Sequence, residues 1–163
     1  MSRYNYKNCQ SLFGYAADVH IRCECTCQLC GCGGNPLDFD LWRQMTVEHL
    51  IGKSQGGYLN QIRKEVTNKF PFLLISEVEE LAKKIDAINT VTACQFCNST
   101  TSRDISEVSM YDLISTSEST PADVIENVAQ ACAVILKEKQ ESVKWKIESV
   151  KAAFYKYVAP KIV

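Results

Sequence analysis

The chain lacks any run approaching the ~18 consecutive apolar residues of a membrane span, so no integral membrane protein is expected. No apolar block follows Met1-Ser2-Arg3-Tyr4-Asn5-Tyr6-Lys7, so no signal peptide is expected either. Charge of one sign is also missing. The net charge is −1 and the pI about 6.1, which argues against indiscriminate coating of nucleic acid and leaves only a local basic surface for such a contact. There is no internal repeat. With 46% hydrophobic and 23% charged residues, the 163-residue chain is not a disordered polymer. It is long enough for one domain with a real core, or a compact core with a helical extension.

What it has in excess is cysteine. Nine stand at positions 9, 23, 25, 27, 30, 32, 94, 97 and 132, five of them within ten residues. A secreted disulfide framework spreads an even number of cysteines through a shorter chain. Neighbours two or three residues apart also lack the separation that a disulfide requires. The crowding suits a metal in a reducing compartment, and a cytoplasmic location is expected. Cys27-Gln28-Leu29-Cys30 and Cys94-Gln95-Phe96-Cys97 are both C-x2-C turns, and two such turns supply the four thiolates of a tetrahedral structural zinc site. The competing reading is a set of buried free thiols. Cys9, His20, Cys23, Cys25 and Cys32 leave open a second zinc, and their crowding leaves the ligand assignment open by one knuckle.

Charge divides the chain into zones. Residues 1–70 carry net +2, residues 71–103 net −1, residues 104–126 six acids and no base, and residues 127–163 net +4. Residues 99–120 are half Ser/Thr and read as a connector. Ser76-Glu77-Val78-Glu79 has the form of a capping box ahead of the stripe Val78, Leu81, Ala82, Ile85. Thr120-Pro121-Ala122-Asp123 predicts another helix start. The stripe that follows runs from Ile125 through Val128, Cys132, Ile135/Leu136, Val143, Ile147, Val150 and Phe154 to Tyr157, with a polar gap at residues 137–142. Unbroken over residues 121–158, this helix would be about 57 Å long, so it either breaks near residues 139–141 or meets another subunit.

Between the knuckles lie Glu48-His49, Ser54-Gln55-Gly56-Gly57 and Asn89, with Asn98 directly after the last knuckle cysteine. In this order and local spacing, residues 23–103 resemble the HNH, or ββα-metal, endonuclease family. Glu48 stands where Asp or His is commoner, and the 39 residues between His49 and Asn89 exceed the usual length. The segment 58–88 looks like a helical insertion. The resemblance implies an α+β fold: a ββα-metal (HNH) core with four-cysteine zinc knuckles at residues 23–105, a preceding segment at 1–22, and a Ser/Thr-rich connector with a C-terminal helical extension at 106–163, all in one compact unit.

It also implies a site. Glu48 and Asn98 would hold a catalytic Mg²⁺ or Mn²⁺ through hard oxygen donors. His49 would be the general base for water and Asn89 would orient it. Adjacent strand residues point to opposite faces, so Glu48 and His49 share a site only if the strand bends there. Asn89 and Asn98 have plainer alternatives, as a turn cap and a helix start. Arg43, Lys53, Gln55 and Arg103 are the candidate DNA contacts. His20 is expected to be structural. The alternating row Lys137, Glu141, Lys144, Glu148, Lys151 reads as a salt-bridge ladder in preference to a DNA-binding stripe. The expected function is metal-dependent cleavage of double-stranded DNA. Near-zero net charge favours a site-specific, restriction-type enzyme, expected as a homodimer through the C-terminal helix. The alternative is a non-catalytic, zinc-stabilised module that binds nucleic acid or protein.

Overall fold

In the computed structural model, residues 15–101, 107–116 and 120–162 are described. The architecture is α+β and mostly helical, with one two-stranded sheet. Helix α1 (Tyr15–Arg22) leads into the first cysteine turn, and a short α2 (Phe39–Trp42) precedes strand β1 (Met45–His49). Helices α3 (Leu59–Lys69) and α4 (Ile75–Asn89) follow, then β2 (Thr90–Cys94), α5 (Gln95–Thr101), α6 (Met110–Ser115) and the long α7 (Pro121–Ala153). The chain closes with a π-type turn, Phe154–Val158, and a 3₁₀ turn, Ala159–Lys161.

The strands pair antiparallel with Met45 opposite Cys94, Val47 opposite Thr92 and His49 opposite Thr90. β2 passes directly into α5, and the segment between the strands forms the helical hairpin α3–α4, which leaves the sheet at His49 and returns at Thr90. Arg63 on α3 pairs with Glu79 on α4 at 2.6 Å and 2.8 Å. That ion pair corrects the expected cap. Glu79 is engaged by Arg63, and the helix starts two residues earlier, with Glu77 accepting the Leu74 amide at 2.7 Å.

α7 begins as the sequence predicts. Asp123 accepts the amide and hydroxyl of Thr120, with Pro121 in the first turn. It does not break at its polar gap. Val124, Val128, Cys132 and Ile135 join the main core with Ile51, Ile62, Ile85 and Met110. Beyond the gap, Val143 and Ile147 join a second core built on Cys27, Leu29, Met45, Ala93 and Cys97. No helix among the described residues is long and apolar enough to cross a membrane.

Candidate metal centre and strand site

The first knuckle is a backbone-closed turn. Gly31 N–H donates to Cys27 O at 2.8 Å, Cys27 N–H to Cys32 O at 2.8 Å, and Cys30 N–H to Cys27 Sγ at 3.5 Å. Gly31 sits at φ +81°, in the left-handed region glycine tolerates best. The second knuckle repeats the pattern, with Cys97 N–H on Cys94 Sγ at 3.5 Å. Gln28 N–H donates to Thr92 O of β2 at 2.8 Å, which ties the first knuckle to the strand that carries the second, and Cys30 Sγ and Cys94 Sγ lie 3.9 Å apart. A tetrahedral zinc with Zn–S bonds of about 2.3 Å spaces its sulfurs about 3.8 Å apart, so the separation fits that ion.

Four sulfurs, those of Cys27, Cys30, Cys32 and Cys94, lie within 4.8 Å of one another. The group includes Cys32, which the sequence left open as a ligand, alongside three of the four knuckle cysteines. Cys97 is fully buried beside it, in contact with the thiols of Cys94 and Cys30. Burial raises the Cys30, Cys32 and Cys97 thiols, whereas at Cys27 burial is outweighed by the amides of Cys30, Cys94 and Leu29 and the net shift is downward. The four close thiols form a site that could hold a metal such as zinc. No second group of metal-type ligands occurs among the described residues. His20 is buried and shares a 2.7 Å hydrogen bond with Thr92 Oγ1, while Cys23 Sγ accepts the Thr92 amide at 3.4 Å. Cys9 lies outside the described residues.

The strand residues alternate as a strand requires. Glu48 turns inward, where its carboxylate receives Lys139 Nζ of α7 at 2.7 Å; both side chains are 6% exposed. Lys139 also donates to Thr101 O at 3.3 Å. His49 lies at the end of the same strand with its ring 4.5 Å from that of Tyr58, and Lys53 Nζ lies 6.0 Å from the Tyr58 centroid. Burial lowers the His49 pKa from 6.5, keeping the imidazole neutral at pH 7.

Asn89 does a different job from the one expected. Its Oδ1 accepts Ile51 N–H at 2.7 Å, and its Nδ2 donates to Ile51 O at 2.9 Å and Gly57 O at 3.0 Å. Both amide hydrogens therefore clamp the loop after β1, leaving none for His49. Asn98 Nδ2 donates to Thr46 Oγ1 at 2.9 Å, fastening α5 to β1. Gln55 spends its amide on Val108 O, and Arg43 is paired with Asp40 on the surface. Lys53 is exposed and uncommitted to any ion pair among the described residues, and Arg103 lies outside them.

Glu48 and Asn98 do not fit a divalent ion as they stand. The carboxylate that would carry the ion's charge is neutralised by a buried ammonium, and an ion added there would meet that ammonium at close range. The one signal of Lys139 in the sequence was the polar gap in the α7 stripe; Tyr58 gave none. Fold and site together define a helical α+β protein with a thiol-lined metal-type centre knitted to a two-stranded sheet. No family model matches the chain, nor does any curated protein or solved structure.

Proposed function

We propose that the protein is an HNH-type endonuclease that hydrolyses phosphodiester bonds of duplex DNA, with its knuckles holding one structural zinc. The observation that carries the reading is the antiparallel pair β1–β2 running into α5, with Glu48-His49 ending its first strand and a thiol knuckle opening its helix. In this reading a neutral His49 takes the proton from the attacking water, and Tyr58 restrains its ring through a tilted ring contact at 4.5 Å. Lys53, whose Nζ lies 6.0 Å from the Tyr58 ring centroid, supplies positive charge to the phosphate. Asn89 and Gly57 hold the loop that carries Lys53 against the strand end. The family's divalent ion has no place in this scheme, because Lys139 already balances Glu48.

A second reading is favoured by one observation. A Glu48 carboxylate closed off by Lys139 is what a zinc-stabilised binding module, without catalysis, would have. Incubating the zinc-loaded protein with supercoiled plasmid and phage DNA, with Mg²⁺ or Mn²⁺ and without either, separates the two. Cleavage that falls on the order of 10²–10⁴-fold in His49→Ala supports the nuclease. Folded, zinc-loaded protein that cuts in no buffer overturns it in favour of the module. Because His49 is held below 6.5, its base form persists on the acid side of that value, so the acid limb of the cleavage profile is expected below pH 6.5.

A further inference from the structure

Beyond Ile147, α7 and the two turns after it have little to pack against, and Trp145 faces away from the core. Trp145 is 75% exposed and Tyr155 62%, and Val150, Phe154, Tyr157 and Ile162 are also exposed. The same stretch is basic. Residues 142–163 hold Lys144, Lys146, Lys151, Lys156 and Lys161 against the single acid Glu148, net +4 in a chain of net −1. The expected salt-bridge ladder does not form: none of Lys137, Glu141, Lys144, Glu148 and Lys151 belongs to an ion pair among the described residues. Lysines left unpaired in this way are available to an outside anion.

Three occupants are conceivable, and charge and pattern separate them. A second copy meeting this arm head to head would oppose net +4 with net +4. An anionic bilayer would take the aromatics on one apolar face, yet Trp145 and Tyr155 lie off the stripe of Ile147, Val150, Phe154 and Tyr157, among Lys144, Lys151 and Lys156. Nucleic acid suits both features, because its phosphates take the lysines and its bases stack on aromatic faces. A groove of about 350 Å³ runs between Phe96, Ile147, Val150, Lys151, Phe154 and Tyr155. Phe96 lies on α5, two residues before Asn98, so the groove opens beside the helix that packs on β1.

We propose that the arm formed by residues 144–162 is a nucleic-acid-binding surface, with Lys151, Lys156 and Lys161 on phosphates and Trp145 and Tyr155 as stacking platforms. The inference goes beyond the nuclease reading, since the arm binds whether or not His49 cuts. The test is fluorescence anisotropy of zinc-loaded full-length protein with labelled 20-mer duplex and single-stranded DNA, without added divalent ions. The probe proteins are wild type, Lys151→Glu/Lys156→Glu, Trp145→Ala/Tyr155→Ala and His49→Ala. Each double variant is expected to weaken binding at least about tenfold, and the lysine pair to flatten the salt dependence by about 0.9 for each phosphate that it no longer neutralises. His49→Ala is expected to bind as wild type does, so failure of the cleavage assay leaves this proposal standing. Unchanged affinity and salt slope in both double variants would overturn it. So would tighter binding to phosphatidylserine vesicles than to either DNA, or a dimer in sedimentation that the same substitutions dissociate. All four substituted arm residues are exposed, and an unchanged thermal melt checks that each variant is folded.

Discussion

At the scale of single residues, the strongest constraint lies in buried polar groups, each of which has a partner among the described residues. Asn89 is fully buried and makes three hydrogen bonds to the loop after β1. Asn89→Ala would strand an amide and two carbonyls in the interior, at a cost on the order of 3 kcal/mol, readable as a lower urea midpoint. Gly57 sits in the same clamp for a steric reason: a Cβ there would lie 1.5 Å from Ile51 O, which no side chain tolerates. Glu48 and Lys139 are the second case. Removing either partner leaves a buried charge, so Glu48→Gln or Lys139→Met is each expected to cost about 3–5 kcal/mol. The double change Glu48→Leu/Lys139→Met should recover most of that loss, because it removes both charges together. A double change as unstable as the sum of the single ones would mean that the two groups do not act as a pair.

At the scale of elements, much was legible where local chemistry decides. The start of α7 and the two knuckles follow from short-range patterns, whereas the strand ending at His49 came only with the family resemblance and the helix beyond the second knuckle starts already at Gln95. The expected cap at Ser76 failed because Arg63, on the preceding helix, takes Glu79, and no local rule contains that contact. The role of Asn89 was missed for a similar reason. Its partners are 38 and 32 positions away across the helical hairpin. Cys32 stayed open in the sequence because two C-x2-C pairs already make a complete ligand set on paper, whereas the turn at Gly31 folds a fifth sulfur into the same space. That geometry predicts a graded response to substitution. Cys27, Cys30 and Cys94 have no understudy, so Cys30→Ser should lose zinc measured by atomic absorption and lower the melting temperature. Cys32 and Cys97 can stand in for each other, so each single serine variant should keep one zinc per chain, and only the pair should lose it. Loss of zinc from Cys32→Ser alone would assign the fourth bond to Cys32 outright.

At the scale of the whole molecule, α7 is the strut that joins two cores. Its first half seats Val124, Val128, Cys132 and Ile135 among the helices of the main core, and Val143 and Ile147 seal the thiol-lined core. The polar gap between them is where Lys139 meets Glu48 on β1, and Gln140 donates to Gln28 O of the first knuckle at 2.8 Å. One helix therefore carries packing, charge balance and the metal-type centre along a length of about 50 Å. Two truncations separate those roles. A chain ending at residue 153 loses only exposed turns, so its zinc content should stay at the full-length value and its melting temperature within a few degrees. A chain ending at residue 138 keeps the main core but strips Val143 from the second core and leaves Glu48 buried without a counter-charge. It is expected to lose about 3–5 kcal/mol from the charge alone, besides the packing that Val143 and Ile147 supply. Circular dichroism at 222 nm during a melt, with zinc measured in parallel, distinguishes the two chains. If the shorter one melts like the full chain and keeps its metal, the strut is dispensable and the thiol-lined core stands on its own.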